Sequence, residues 1–291
     1  MRVHLVDGTY ELFRHHFAVP SHRDPAGIEV AATRGVVGSV LMMIEEGATH
    51  VGVATDHIVE SFRNDRWPGY KTSEGMEPEL LAQFPIVEDA LTALGVAVWP
   101  MVELEADDGL ASAAAVAAAD ERVEQVQICT PDKDLGQCVD AGRVVQVDRR
   151  KNEIRDAEGV RAKFGVGPES IPDYLALVGD TADGFPGLPG WGAKSAAAVL
   201  ARYEHLEAIP RLASDWDVTV RGALKLATTL ADQMEDALLF RDLATLRTNA
   251  DVGTVDDWRW TGPGPDLQEW AARLGAPALV RRAERVAESR T

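Results

Sequence analysis

The sequence has little cysteine, no long apolar run and a shortage of positive charge. Cys129 and Cys138 are too few for a disulfide framework and lack the Cys-x-x-Cys spacing of a zinc site. No stretch approaches the roughly 20 apolar residues that span a bilayer. Asp7 comes too early in the chain for a signal peptide. We therefore predict a cytoplasmic protein with reduced thiols and no membrane partner.

Acidic residues outnumber basic ones by 47 to 29, which gives a formal net charge of −18. Phosphate binding depends mainly on Lys and Arg, so this balance argues against a broad nucleic-acid surface. Nine clustered carboxylates, named below, account for half of the net charge. Any nucleic-acid surface must therefore be local, and we expect binding there to depend steeply on metal and salt.

The first half of the chain alternates short β-rich runs with Ala- and Leu-rich helical stretches, which is typical of a mostly parallel α/β sheet. The predicted strands are Val3–Asp7, His50–Asp56, Val96–Pro100, Glu124–Thr130 and Arg143–Asp148. The predicted helices between them are Ala31–Glu46, Glu79–Leu94 and Ala106–Ala119. The polar segment Ser61–Pro78 contains several Gly and Pro residues and is predicted to be a loop or a mobile arch.

Beyond about residue 165 the strand character stops and the pattern predicts helices. They are Glu169–Gly179, Ala193–Tyr203, Gly222–Leu230, Gln233–Leu246, Leu267–Leu274 and Ala276–Glu288. A Gly/Pro-rich stretch, Gly184–Gly192, joins the first two and belongs to a predicted hairpin over residues 184–194. We therefore predict two domains: an α/β domain over residues 1–165, which includes the arch, and a helical module with further C-terminal helices over residues 166–291.

Nine acids stand where predicted strands end or predicted helices begin. They are Asp7, Asp56, Glu105, Asp107, Asp108, Asp132, Asp134, Asp180 and Asp183. A lone Asp at such a position is more often a cap or a turn residue. Parallel strands, however, bring their carboxyl ends to one edge of a sheet, and crowded carboxylates repel one another unless hard cations join them. The joint pattern predicts a centre for Mg²⁺ or Mn²⁺, since all the ligands are oxygens.

Six linked segments resemble the 5′-nuclease family, which includes flap endonucleases, the 5′-nuclease domain of bacterial DNA polymerase I and free-standing 5′–3′ exonucleases. They are Leu5–Gly8 with Arg14; Asp56 with Phe62-Arg63 and Pro68–Lys71; Glu105–Asp108; Thr130–Leu135; Gly179–Gly187; and Gly190–Lys194. The resemblance runs from residue 3 to about residue 246. It implies a PIN-like nuclease sheet with helices on both faces, followed by a helix-three-turn-helix module that contains a helix–hairpin–helix.

The resemblance also implies roles for these residues. Two divalent ions would be held, one mainly by Asp7, Asp56, Glu105 and Asp107, the other mainly by Asp132, Asp134, Asp180 and Asp183. Lys71 and Arg63 would assist at the scissile phosphate, Tyr70 would stack on a base, and Arg14 would contact phosphate. Asp108 would act through water.

The hairpin is expected to contact duplex DNA without reading sequence. Gly187, Gly190 and Gly192 would let backbone N–H groups approach a phosphate, and Lys194 would add charge at a helix N-terminus. A K⁺ ion would bridge hairpin and DNA. Several positions depart from the family pattern, among them Glu74, which stands where a basic residue is usual, and Gly184, which stands where Asn is usual.

The sequence is therefore interpreted as a structure-selective 5′-nuclease, acting as 5′–3′ exonuclease and flap endonuclease by a two-metal mechanism. Its partners would be DNA with 5′ ends, flaps or nicks, together with RNA primers. We expect a monomer, with any polymerase acting as a separate chain. Two alternatives stay open: a PIN-like ribonuclease, and a DNA-junction binding protein with weak catalysis, which Glu74 and the acidic charge suggest.

Overall fold

The computed structural model describes residues 1–290 and divides into two compact units. The first unit comprises Met1–Ser61, Ser73–Thr130 and the chain from Thr248 onward, and the second comprises Phe62–Thr72 and Pro131–Arg247. Each unit is thus assembled from separate pieces of chain. The predicted domain boundary at residue 165 divides the chain differently and stays a prediction.

The regular elements account for most of the chain. In chain order, the strands are β1 (Arg2–Asp7), β2 (His50–Asp56), β3 (Ala97–Met101), β4 (Gln125–Cys129), β5 (Val144–Asp148) and β6 (Glu153–Arg155). The helices are α1 (Gly8–Ala18), α2 (Ala31–Glu45), α3 (Phe62–Arg66), α4 (Pro78–Leu81), α5 (Gln83–Leu94), α6 (Ala106–Ala119), α7 (Ala157–Phe164), α8 (Ile171–Val178), α9 (Ala193–Tyr203), α10 (Ala223–Asp232), α11 (Met234–Ala244), α12 (Leu267–Arg273) and α13 (Ala278–Arg290). No helix in residues 1–290 has the length and apolar character needed to cross a membrane.

The first unit contains a parallel sheet in the order β3-β2-β1-β4. Every residue of β2 is buried, as expected for a strand that is covered on both faces. Register places Asp7 beside Ala54 and Asp56 beside Met101, so both acids lie at the carboxyl ends of neighbouring strands. This edge is where ligands bind in open α/β sheets.

Helices cover both faces of this sheet, as the sequence predicted. The chain steps from β1 to β2 to β3 in one direction and then returns past β1 to β4. Because crossovers are right-handed, the reversal places α1, α2 and α5 on one face and α6 on the other. Helix α5 packs against β2 and β3, and α6 packs across all four strands.

The second unit is mostly helical. Its only strands in the described residues are β5 and β6, which pair antiparallel. Helix α8 packs against α9 and α11, and the hairpin lies between α8 and α9. Its hydrophobic core gathers Tyr70, Leu177, Phe185 and Phe240, with Phe185 stacked on Phe240 at 5.8 Å between ring centroids.

The mostly parallel α/β fold with a helical second half is confirmed, and five strands and most helices were predicted to within a residue or two of their bounds. Three points were wrong. Residues 62–66 form helix α3, where an irregular loop was expected. The predicted helix Glu79–Leu94 is divided at Ala82, because Pro85 has no N–H to donate to the preceding turn. Finally, α1, α7 and β6 were missed.

Candidate metal centre

Three acids of the second unit converge on one point. Asp134 opens a 3-10 helix, and Asp180 and Asp183 lie in the turn that follows α8. Each offers a carboxylate oxygen, and these oxygens lie within 4.8 Å of one another. The turn is closed by backbone bonds between Asp180 and Phe185 and from Gly184 N–H to the Asp180 carbonyl. This local geometry brings together three of the predicted ligands.

The Asp134 carboxylate is the most strongly perturbed group of this cluster. Its side chain is buried, and Oδ1 has no hydrogen-bond partner. Burial raises the pKa of Asp134 well above its ordinary value, and the nearby carboxylates of Asp132 and Asp183 raise it further. An unpartnered buried oxygen among like charges is what a divalent cation would stabilise. The donor set therefore fits Mg²⁺ or Mn²⁺.

Two lysines of the same unit contact the cluster. Lys71 Nζ lies 3.1 Å from Asp183 Oδ1, and Lys133 Nζ forms an ion pair with Asp180. Burial lowers the pKa of Lys133, but Asp134 and Asp180 outweigh this effect and raise it above its ordinary value. The sequence reasoning missed Lys133, although its position between Asp132 and Asp134 was a signal for a counter-charge.

Asp132 supports the cluster from its rim. Its side chain is exposed, and Oδ1 accepts a hydrogen bond of 2.9 Å from the backbone N–H of Asp134. Its main-chain carbonyl accepts from the buried side chain of Gln146. Asp132 thus fixes the backbone at Asp134, and its predicted contact with metal stays a prediction.

The acids of the first unit lie at the carboxyl edge of the sheet. Asp7 caps helix α1 through a 2.8 Å bond from Tyr10 N–H to Oδ1, and its Oδ2 accepts from Thr130 Oγ1 at 2.9 Å. Asp56 Oδ1 accepts from the N–H of Ala106 at 2.6 Å, which ties the end of β2 to the start of α6. Both carboxylates are therefore held in fixed directions.

Helix α6 contributes three more acids. Glu105 is buried and accepts a hydrogen bond of 2.6 Å from Ser61 Oγ. Asp108 is fully buried, and its Oδ2 accepts from the backbone N–H of Glu105 at 3.0 Å. Asp107 is half-buried in the first turn, where the helix dipole favours negative charge. Their roles as metal ligands stay predictions, and Asp108 has a structural role as a cap.

Arg63 and Tyr70 lie in the interior of the second unit. Arg63 is 1% exposed, and its Nε donates to the carbonyl of Leu243 at 2.8 Å. Tyr70 is 4% exposed and belongs to the hydrophobic core. Neither side chain is exposed, because this segment folds onto the helical core. Their predicted contacts with phosphate and base stay predictions.

Arg14 lies on helix α1, where its guanidinium forms a 2.5 Å ion pair with the buried carboxylate of Glu11. This pair orients Arg14 without excluding a phosphate, since the side chain is only half-buried. The predicted phosphate contact stays a prediction.

Three glycines shape the backbone of the hairpin, and their predicted contact with phosphate stays a prediction. Gly187 and Gly190 have φ values of +68° and +87°, which side chains rarely adopt, and Gly192 caps helix α9. Lys194 is exposed in the first turn of α9. A cavity of about 530 Å³ opens here, lined by Gly190, Gly192, Lys194 and by Thr219 and Arg221, which the sequence reasoning missed. The backbone N–H of Gly192 donates to Ser195 Oγ at 3.1 Å, and the exposed Lys194 and Arg221 bring two positive charges to this surface.

Comparisons with known proteins agree with this architecture. A family model described as "5'-3' exonuclease, N-terminal resolvase-like domain" matches residues 2–165, and one described as "5'-3' exonuclease, C-terminal SAM fold" matches residues 166–266. The chain is 33% identical to DNA polymerase I of Pseudomonas aeruginosa over 268 residues, which cover 89% of this chain and 28% of that protein. The chain thus spans less than a third of the length of this relative.

A shorter relative is covered much more fully. The "5'-3' exonuclease" of Aquifex aeolicus is 32% identical over 256 residues, 86% of this chain and 83% of that protein. Among solved structures, "Divalent metal ions (zinc) bound to T5 5'-exonuclease" has a TM-score of 0.67 at 17% identity, with 99% of each chain covered. The flap endonuclease-1 of Methanococcus jannaschii has a TM-score of 0.63 at 14% identity, with 100% of this chain and 93% of that chain covered. These structures share the fold of this chain.

Proposed function

Since the chain belongs to the 5'-3' exonuclease family, we propose that it hydrolyses DNA phosphodiesters at or near 5′ ends, flaps and nicks. The observation that supports this most directly is the cluster of Asp134, Asp180 and Asp183, with its buried, unpartnered oxygen. A protein that only bound DNA would gain nothing from such a cluster, because its negative charge repels phosphate.

Two sets of acids would hold the ions. The first is Asp7, Asp56, Glu105 and Asp107, with Asp108 acting through water, and the second is Asp132, Asp134, Asp180 and Asp183. Bound Mg²⁺ or Mn²⁺ would supply a nucleophile at neutral pH and stabilise the leaving oxygen. Our proposal of these two metals over zinc follows from the all-oxygen donor set.

The chain's own residues would bind and orient the substrate. The ammonium group of Lys71, 3.1 Å from Asp183, brings a positive charge to the rim of the acid cluster, where a phosphate would need it. Gly187, Gly190, Gly192 and Lys194 would bind the backbone of the duplex without reading its sequence, with a K⁺ ion at the hairpin. We further propose that the protein is a cytoplasmic monomer and that it accepts RNA primers as well as DNA.

The test is cleavage of 5′-flap, nicked and blunt DNA, with an RNA of the same sequence, in Mg²⁺ or Mn²⁺. We expect Asp134→Asn and Asp183→Asn to lower cleavage of DNA by about a hundredfold or more, because each removes a charged ligand, while DNA binding is retained. Asp232→Asn removes an exposed acid of the same unit and should change neither.

Three outcomes would overturn the proposal. Unchanged cleavage in both cluster variants would remove these acids from the mechanism. Cleavage of RNA with none of DNA would favour the ribonuclease alternative. Tight binding of flaps that needs no metal and gives no turnover would favour the junction-binding alternative.

A further inference from the structure

A short segment of the second unit, Trp67–Lys71, lies against the turn that carries Asp183. The indole Nε1–H of Trp67 donates to the main-chain carbonyl of Gly184 at 3.1 Å. Four residues later, the backbone N–H of Lys71 donates to the carbonyl of Asp183 at 3.0 Å. The segment is thus joined at both ends to one side of the acid cluster.

Two glycines permit this close approach. Gly184 has a φ of +84°, and a Cβ added to it would overlap the carbonyl oxygen of Gly69. A Cβ on Gly69 would in turn lie 2.7 Å from Trp67 Nε1 and 3.2 Å from the Gly184 oxygen. Each glycine therefore leaves room for the backbone of the other. This explains a departure from the family pattern, since Asn at position 184 would separate the two backbones.

The backbone around Lys71 is held on both sides. Its N–H is bonded to Asp183, and its carbonyl accepts from Asn64 Nδ2 at 2.9 Å. The Trp67 ring packs edge-on against Phe240 with 5.2 Å between centroids, and Tyr70 is buried in the same core. The position from which the Lys71 side chain extends is therefore fixed by contacts that do not involve its ammonium group.

We infer that Trp67 is a positioning residue, whose indole N–H holds the Trp67–Lys71 segment on Gly184 so that the Lys71 ammonium lies at Asp183. The effect on catalysis rests on the proposed function, in which Lys71 assists at the phosphate. The positioning itself does not, because it consists of hydrogen bonds within the second unit. Trp67 thus acts through Lys71.

Trp67→Phe tests this, because it removes the indole N–H donor together with part of the ring and leaves an aromatic side chain next to Phe240. We expect kcat for flap cleavage to fall by up to about fivefold, the factor that corresponds to one neutral hydrogen bond, with KM little changed. In the metal-free protein, the amide of Lys71 should exchange with solvent faster by a similar factor. The matched control is Trp260→Phe, which removes an indole-to-carbonyl bond of 2.9 Å to Leu94 in the first unit and should change neither kcat nor the Lys71 amide.

A double-mutant cycle separates positioning from general structural damage. In a Lys71→Ala background, Trp67→Phe should lower kcat no further. The same loss in both backgrounds would overturn the inference, and so would unchanged exchange at the Lys71 amide. If wild type cleaves none of the substrates, and the Lys71 amide still exchanges faster in Trp67→Phe, the proposed function fails while the positioning contact stands.

Gly184→Ala provides a second variant. The added Cβ should push Gly69 away and weaken the bond from the Lys71 N–H to the Asp183 carbonyl. We therefore expect the Lys71 amide to exchange with solvent faster in Gly184→Ala than in Trp67→Phe. Gly142→Ala places a side chain on a residue with a φ of +107°, where no heavy atom lies within 4 Å of the added Cβ. It therefore reports the cost of the backbone conformation alone. Equal amide exchange at Lys71 in the two alanine variants would contradict the role of the Gly69–Gly184 approach.

Discussion

His50 begins strand β2 with its imidazole buried and its Nδ1 3.0 Å from Thr49 Oγ1. Burial lowers the pKa of His50, and the Arg259 guanidinium lowers it further. The unfolded chain therefore binds a proton at His50 more readily than the folded protein does. The contribution of neutral His50 to the free energy of unfolding is therefore fully present above the ordinary histidine pKa of about 6.5, and it is lost as the pH falls below that value.

Between pH 7 and pH 5 we expect the protonation of His50 to lower the free energy of unfolding of wild type relative to that of His50→Gln, because Gln binds no proton. Urea denaturation of both proteins at several pH values measures the difference. Parallel pH profiles for wild type and His50→Gln would show that His50 is not responsible.

At the same scale, the positions of the clustered acids were easier to predict from the sequence than the burial of individual side chains. Asp134 and Asp183 could be named from the sequence because each belongs to a short motif at the end of an element. Arg63 and Tyr70 belong to a motif too, but their burial depends on α11, 180 positions from Arg63 at Leu243, and on a core whose other residues begin at Val139. No local pattern encodes such a contact.

At the scale of elements, helix α6 depends on a cap at its first turn. The Asp108 carboxylate accepts from the Glu105 N–H, and without it that buried N–H would lack this partner. We expect Asp108→Ala to lower the free energy of unfolding by about 1–2 kcal/mol, the usual effect of losing a cap in a buried position. Urea denaturation in the presence of a chelator measures this.

Thermal unfolding with and without Mn²⁺ then tests whether capping is the whole role of Asp108. If it is, the metal-induced rise in Tm should be the same in Asp108→Ala as in wild type. A smaller rise would identify Asp108 as a metal ligand. Asp156→Ala removes the cap of α7, where Asp156 Oδ1 accepts from Gly159 N–H at 2.8 Å, and shows the size of a cap effect outside the predicted ligands.

The elements that the sequence predicted well are those with a strong local signal. Strand β2 is an apolar run that ends in an acid, and its bounds were predicted without error. Helix α3 and strand β6 have five and three residues, too few for either periodicity to appear. Their formation is decided by the surfaces on which they pack.

At the scale of the whole molecule, the net charge of −18 sets the conditions for any contact with DNA. Binding must rely on a few local cations, of which Lys194 is the one that the hairpin presents most openly. We expect Lys194→Ala to weaken binding to all DNA sequences alike and to reduce the slope of log K against log salt by about 1.

Fluorescence anisotropy measures this most cleanly in an Asp183→Asn background, where cleavage should not interfere. Lys151→Ala serves as the control, because Lys151 is 62% exposed in the same unit and lies outside the hairpin. An unchanged salt slope in Lys194→Ala would place the DNA-binding surface elsewhere.

The sequence by itself determined the family, the parallel α/β order of the first half, the helical second half and the identity of the acids. These follow from short motifs and from apolar periodicity, which are properties of neighbouring residues. The tertiary structure alone decided which oxygens meet, that Lys71 and Lys133 contact Asp183 and Asp180, and that a Trp67 bond to Gly184 fixes the backbone beside Lys71. Those contacts join residues up to 117 positions apart, so their energies arise only when the chain has folded.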